Sequence, residues 1–164
     1  EGGLEEVGCI LSRFAYNQVM PECTAKKPLQ VLYNSWEAVD FRVICEKQIQ
    51  LARQAAELGV ELFVIDDEWF GKRDSDHLGL GDWYVNRKKF PDGLKPLIDE
   101  VKKLGMDFGI WIEPEMVNEN SDLYRRHPEW IYRYPTRTVL EGRYQYMLDM
   151  TNSGPVLIQI RWTG

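Results

Sequence analysis

The sequence predicts an α/β fold built on a parallel sheet. Two stretches repeat the same order of a helix end, a glycine, an apolar strand and carboxylates: ELGVELFVIDD (residues 57–67) and KLGMDFGIWIEPE (residues 103–115). A third apolar run, Leu29 to Tyr33, precedes both of them. The order strand, helix, strand, helix, strand indicates a parallel sheet covered by helices, because each crossover returns the chain beside the previous strand.

The individual elements follow from residue spacing. Residues 1–28 are predicted to form a helical lead-in, because apolar residues recur at loose helical intervals until prolines interrupt them. Two amphipathic helices follow, one at Glu46–Leu58 and one within residues 91–105, and each ends at a glycine. Strands are predicted at residues 29–33, 60–67 and 106–115, and the run Tyr144–Asp149 is a fourth candidate.

Composition excludes several classes of protein. The chain has 164 residues, 44% of them hydrophobic and 28% charged, which is typical of one ordinary globular domain. A net charge of −6 argues against a nucleic-acid partner, and no apolar run is long enough to cross a bilayer, so no membrane partner is expected. The sequence contains neither G-x-G-x-x-G opening a helix nor a P-loop, so no cofactor is expected.

The three cysteines, Cys9, Cys23 and Cys45, are odd in number, widely spaced and form no C-x-x-C motif. This pattern favours free thiols over a disulfide scaffold or a zinc site. Free thiols are typical of a reducing compartment, so we expect a cytoplasmic protein.

Carboxylates and tryptophans are concentrated where the predicted strands end. Asp66 and Asp67 directly follow one strand, Trp36 follows another, and Trp111 lies near the end of a third, ahead of Glu113 and Glu115. Such a rim suits a divalent cation, acid–base or nucleophilic catalysis, or polyol binding. The tryptophans favour polyol binding, because indole rings pack on the C–H faces of sugars and offer nothing to a metal.

Each of these residues also has a purely structural interpretation. The two aspartates could cap a loop, and for Trp36 and Trp111 a role in packing is as well supported by the pattern as a role in binding. Trp69, Trp83 and Trp130 are expected to be structural or interface residues. Neighbouring side chains on a strand point in opposite directions, so Asp66 and Asp67 make a poor nucleophile and acid pair.

Six stretches give the chain a specific family resemblance between about residues 30 and 150: NSWEA, IDDEWFGKR, LGDWYVNRKKFPDGLKPL, GIWIEPEMV, DLYRRHPEW and EGRYQYMLDM. In order and spacing they resemble the α-galactosidases of glycoside hydrolase family 36. The resemblance implies a TIM (β/α)8 barrel, of which residues 29–150 would supply the first part as about three to four βα units. It also implies retaining, double-displacement hydrolysis.

The resemblance assigns binding roles to five residues. Asp66 and Asp67 would hold hydroxyls of the terminal galactose, Trp111 and Arg143 would contact the sugar, and Trp36 would border the site. Glu68 stands where the family usually has glycine, and we expect it to crowd or extend the rim of the site.

The resemblance also implies what this chain lacks. The family's nucleophile and general acid are aspartates on later strands, so both are expected beyond residue 164, and the chain alone should be inactive. The tail at residues 151–164 is unlike the family, which suggests truncation or a frameshift. The expected substrates are galacto-oligosaccharides such as melibiose and raffinose, and the parent enzyme is expected to be a bacterial homo-oligomer. A raffinose-synthase-like transferase and a non-catalytic carbohydrate-binding module are the alternatives.

Overall fold

A computed structural model describes residues 3–20 and 28–155 of the chain. The chain divides into two compact units, residues 1–30 and residues 31–164. In the first unit, helix α1 (Leu4–Phe14) continues as a π-helical turn at Ala15–Val19. Neither segment buries a side chain, although α1 carries several large apolar residues.

The second unit contains a parallel sheet of three strands, β1 (Leu32–Asn34), β2 (Leu62–Ile65) and β3 (Asp107–Ile110), in the order β1-β2-β3. Three helices lie between these strands in the chain: α2 (Trp36–Val39), α3 (Cys45–Glu57) and α4 (Lys95–Lys103). Leu32 pairs with Leu62, and Leu62 pairs with Asp107, so the strands advance in register. The α/β fold with a parallel sheet is therefore confirmed.

A second, antiparallel sheet follows, made of β4 (Met116–Asn118), β5 (Glu141–Gly142) and β6 (Gln145–Met147) in the order β4-β6-β5. Helix α5 (Asp122–Arg126) and a 3₁₀ turn at Pro128–Trp130 lie between β4 and β5 in the chain.

The fourth strand candidate at Tyr144–Asp149 does form a strand, but it pairs antiparallel in this second sheet. The prediction that it continues the parallel sheet is therefore wrong within the described residues. Only two residues separate β5 from β6, which suits a hairpin, whereas a parallel neighbour needs a crossover of a dozen residues or more.

The core lies between the parallel sheet and its helices. Phe63 and Ile65 of β2 are fully buried, and Leu97 and Val101 of α4 are buried with them. Trp69 and Trp83 are also buried in this cluster, in agreement with the structural role expected for them. Gly109 of β3 permits close approach of the strands, because a Cβ there would lie 2.9 Å from Cγ2 of Val64.

Glu68 belongs to this interior rather than to the rim where it was expected. Its φ of 77° turns the chain just after the strand-end aspartates, and its side chain is fully buried. The carboxylate pairs with Lys89, whose Nζ also donates to the backbone oxygen of Arg73 at 3.0 Å. The positive φ is a conformation that glycine adopts without strain, which agrees with the residue that the family usually carries there.

Burial raises the pKa of Glu68 to about 7, although the hydrogen bond and charge of Lys89 act in the opposite direction. Its Oε1 atom is buried without a hydrogen-bond partner among the described residues. A buried carboxyl with one unpaired oxygen is less costly when it is protonated, since desolvation penalises the charged form.

Leu97→Ala should lower the free energy of unfolding by about 2–5 kcal/mol, because it removes a fully buried side chain and leaves a cavity. Urea unfolding followed by circular dichroism measures the change. The matched control is Leu58→Ala, since Leu58 is 83% exposed and should change stability by roughly 0.5 kcal/mol or less. Equal losses in the two variants would contradict the position assigned to the core.

Glu68→Gln should change how stability depends on pH. The folded-state pKa lies above the ordinary glutamate value of 4.5, so the wild-type carboxyl contributes stability below about pH 4.5 that is lost as pH rises to about 7. The difference in unfolding free energy, wild type minus Glu68→Gln, should therefore fall across this window, by at most roughly 3 kcal/mol. Denaturant unfolding at a series of pH values measures it.

The control for this pH series is Glu57→Gln, which changes an exposed carboxylate at the end of α3. It measures the effect of removing one surface carboxylate, which is subtracted from the Glu68→Gln series. A constant remaining difference for Glu68→Gln would show that Glu68 is already ionised in the folded protein throughout this range.

Candidate functional site

The carboxyl ends of the three parallel strands meet at one edge of the sheet, beside a cavity of about 420 Å³. The residues that line it are Asn34, Trp36, Glu37, Asp66, Asp67, Trp111 and Arg143. All five residues predicted to bind a sugar are among them. The structure therefore brings these side chains together, and their role in binding remains a prediction.

Asp66 is fixed by the last residue of β1 and the residue after it. Its Oδ2 accepts a hydrogen bond from Nδ2 of Asn34, and its backbone N–H donates to Oγ of Ser35 at 2.9 Å. Its Oδ1 accepts from the backbone N–H of Asp67 at 2.8 Å. These bonds hold the carboxylate in one orientation, since its two oxygens are each engaged.

Asp67 forms a buried ion pair with Arg73. The guanidinium donates from Nε to Oδ1 at 2.8 Å and from Nη2 to Oδ2 at 2.7 Å, while the backbone N–H of Glu68 adds a bond to Oδ1 at 2.7 Å. The Arg73 side chain is 0% exposed and that of Asp67 is 5% exposed. This two-point geometry is the strongest form of carboxylate recognition and fixes the plane of Asp67.

Asp66 and Asp67 line the same cavity, although alternation along a strand predicts that neighbouring side chains diverge. The alternation rule does not apply because β2 ends at Ile65, before both aspartates. They are still poorly placed to act as nucleophile and acid, for a different reason. Each carboxylate already accepts hydrogen bonds that hold it, from Asn34 in one case and from Arg73 in the other.

Trp111 serves packing and the cavity together. Its backbone N–H donates to the oxygen of Ile65 at 2.9 Å, and its ring lies 6.4 Å from that of Phe70 and 6.2 Å from that of Trp83. One part of the ring is thus held by the core while another part lines the cavity. Packing and a place in the cavity are therefore compatible for Trp111, and its role in binding stays a prediction.

Trp36 begins α2, two residues after the carboxyl end of β1. Its backbone N–H donates to Oδ1 of Asn34 at 2.8 Å, so Asn34 contacts both Trp36 and Asp66. The Trp36 ring meets that of Phe41 edge to face, with centroids 5.2 Å apart.

Arg143 reaches the cavity from the turn between β5 and β6 and donates from Nη2 to Oδ1 of Asp76 at 2.6 Å. Glu113 lies close enough for the charge of Arg143 to affect its pKa. Burial and the neighbouring Glu115 raise the pKa of Glu113, whereas Arg143 lowers it. The edge of the cavity therefore carries charges of both signs.

Sequence reasoning missed several residues that hold the site in place: Asn34, Arg73, Asp76 and Asn118. One feature of the sequence could have identified Arg73 as a partner of Asp67. Arg73 stands six residues after Asp67 in IDDEWFGKR, and a carboxylate that follows a buried strand needs a cation or several donors.

Two larger cavities, of about 610 and 660 Å³, lie elsewhere. The first is lined by residues that include His77 and Tyr144, and the second by residues that include Met116 and Met147. Neither contains the aspartate pair, so size alone does not identify the functional site.

Other features bear on possible ligands. Across residues 3–20 and 28–155, no three or more His, Cys, Asp or Glu side chains come together as metal ligands. Within the same residues no helix is both long and apolar enough to span a bilayer. Cys9 and Cys45 are free thiols, and Cys23 lies outside the described residues.

The chain matches the Melibiase family over residues 1–160. Among curated relatives, α-galactosidase AgaA of Geobacillus stearothermophilus is 55% identical over 119 residues, covering 73% of this chain and 16% of the relative. An α-galactosidase of Escherichia coli is 45% identical over 150 residues, covering 90% of this chain and 21% of the relative. The chain thus spans 16% to 21% of the length of these relatives.

Solved structures give the same result. The α-galactosidase of Lactobacillus brevis superposes with a TM-score of 0.89 at 39% identity, covering 98% of this chain and 22% of that one. A GH36 α-galactosidase AgaA variant from Geobacillus stearothermophilus, crystallised with raffinose, superposes with a TM-score of 0.85 at 44% identity, covering 91% and 21%. Because the family match and these relatives cover most of its length, the chain belongs to the Melibiase family of GH36 α-galactosidases, which are glycoside hydrolases.

Proposed function

We propose that this chain forms the galactose-binding part of a retaining α-galactosidase that acts on melibiose- and raffinose-type oligosaccharides. Residues 29–150 would be the first part of a (β/α)8 catalytic barrel, and residues 1–28 would lead into it. The observation that carries this proposal is the meeting of two fixed carboxylates, two tryptophans and an arginine in one cavity of about 420 Å³. The raffinose complex of a relative supports the choice of substrate.

The chemistry of the cavity suits a galactosyl ring. Sugar hydroxyls donate hydrogen bonds, and ionised carboxylates such as Asp66 and Asp67 accept them strongly. The apolar C–H face of the ring packs on an indole such as Trp111. Arg143 supplies donors for hydroxyl oxygens from the facing wall. Because the carboxylates are fixed in orientation, the cavity can distinguish galactose from its C4 epimer, glucose, by the direction of a single hydroxyl.

This set of residues binds and orients the sugar but does not provide the nucleophile and the acid that the reaction needs. A retaining enzyme needs a nucleophile and an acid about 5 to 5.5 Å apart on either side of the scissile bond. The nucleophile attacks the anomeric carbon while the acid protonates the departing glycosidic oxygen. Asp66 and Asp67 are occupied in holding the site, so we propose that both catalytic carboxyls come from a later part of the longer protein.

The proposal predicts selective binding of methyl α-D-galactoside over methyl α-D-glucoside by the chain, measured by isothermal titration calorimetry. Asp66→Asn should weaken galactoside binding by about 10-fold or more, because it removes a charged acceptor that is worth about 1.5–3 kcal/mol. The matched control is Asp99→Asn, which alters a carboxylate that is 59% exposed on α4, and its affinity should equal that of wild type.

Equal affinity for the two epimers, or an unchanged affinity in Asp66→Asn, would contradict the assignment of the cavity. The same samples should release no chromophore from a chromogenic α-galactoside. Hydrolysis by the purified chain would show that a nucleophile and an acid lie within these residues.

A further inference from the structure

A chain of alternating charges joins the two walls of the candidate cavity. It runs from Asp67 to Arg73, then to Asp76 and finally to Arg143. Asp76 Oδ1 accepts from Nη2 of Arg143 at 2.6 Å and lies 3.7 Å from Nη2 of Arg73. One carboxylate therefore lies between two guanidinium groups that would otherwise repel each other.

The backbone on both sides of this carboxylate is fixed independently of it. Nδ2 of the buried Asn118 donates to the backbone oxygens of Asp76 and Tyr144, each at 2.8 Å. Oδ1 of Asn118 accepts from Nη1 of Arg73 at 2.8 Å. The rings of His77 and Tyr144 also pack together, with centroids 3.6 Å apart.

Arg143 itself sits in an unusual turn. Gly142 pairs with Gln145, so Arg143 and Tyr144 form a two-residue hairpin loop, and their φ angles are 50° and 62°. Two positive φ angles are typical of a type I′ turn, in which glycine and asparagine are favoured. A long side chain on such a turn has few backbone contacts to orient it. The Arg143 side chain is 60% exposed, and its guanidinium forms an ion pair with Asp76 beside the cavity.

We propose that Asp76 is a positioning residue for galactose recognition, which holds the guanidinium of Arg143 against the cavity and couples it to the Arg73–Asp67 pair. The expected effect on galactoside affinity rests on the proposed function. The ordering of the Arg143 side chain by Asp76 does not depend on any ligand. Since Asn118 and the His77–Tyr144 contact fix the backbone, loss of the Asp76 carboxylate frees the Arg143 side chain without unfolding the turn.

The first experiment follows arginine side-chain signals by ¹⁵N NMR in the 164-residue chain, with Arg143→Lys used to assign the Arg143 resonances. Asp76→Asn should remove the slowly exchanging guanidinium signals of Arg143. Asp74→Asn makes the same change of charge on an exposed residue two positions earlier and should leave the signals intact. Unchanged Arg143 signals in Asp76→Asn would overturn the proposal, whether or not the chain binds sugar.

The second experiment measures the affinity for methyl α-D-galactoside. Asp76→Asn should weaken it by about 2- to 10-fold, the cost of immobilising one long side chain on binding. Asp74→Asn should bind as wild type does. Because Asp76 acts through Arg143, the double variant Asp76→Asn/Arg143→Met should bind no more weakly than Arg143→Met alone.

These results separate the two proposals. A wild-type chain that binds no galactoside, but whose Arg143 signals still depend on Asp76, would contradict the proposed function and leave the positioning contact established. A lower melting temperature in Asp76→Asn with unchanged affinity would show that the carboxylate has only a structural role. Additive losses in the double variant would show that Asp76 does not act through Arg143.

Discussion

The candidate site depends on the buried ion pair between Arg73 and Asp67. The guanidinium is fully buried and donates four hydrogen bonds: two to Asp67, one to the backbone oxygen of Leu78 and one to Oδ1 of Asn118. Removing either member of such a pair leaves an uncompensated charge in the interior, at a cost of about 3–5 kcal/mol. The position of one carboxylate of the candidate cavity is thereby tied to the folding of the whole loop that carries Arg73.

That loop has little freedom, because its backbone passes very close to the arginine. Gly79 has a φ of 84°, and a Cβ at this position would lie 2.9 Å from the backbone nitrogen of Arg73. Gly71 has a φ of 51° and would place a Cβ 2.9 Å from Cβ of Asp82. At both positions the left-handed backbone and the lack of space require glycine for separate reasons. The turns of the loop therefore do more than connect β2 to α4, because they also place Arg73 where it can pair with Asp67.

Local sequence patterns predicted the strands and helices of the parallel sheet, and hence which residues follow the strand ends. Asp66, Asp67 and Trp111 could be placed near one another because parallel strands expose their carboxyl ends at a common edge. The contacts that hold the site could not be predicted, because no periodicity encodes them. Arg73 reaches Asp67 through an irregular loop, and Asn118 and Asp76 contact Arg73 and Arg143, respectively, from distant parts of the chain. Glu68 and the strand at Gln145–Met147 were misplaced because a positive φ and a two-residue turn reverse the chain locally.

The hairpin turn at Arg143 and Tyr144 limits which side chains these two positions can carry at the edge of the candidate cavity. Both residues occupy the left-handed region, where β-branched side chains are strongly disfavoured and only glycine is free of strain. Glycine or asparagine at position 143 would relax the backbone but abolish the guanidinium. Under the proposed function, selection for a different sugar therefore has more accessible routes through the side chains that face the turn than through the turn itself.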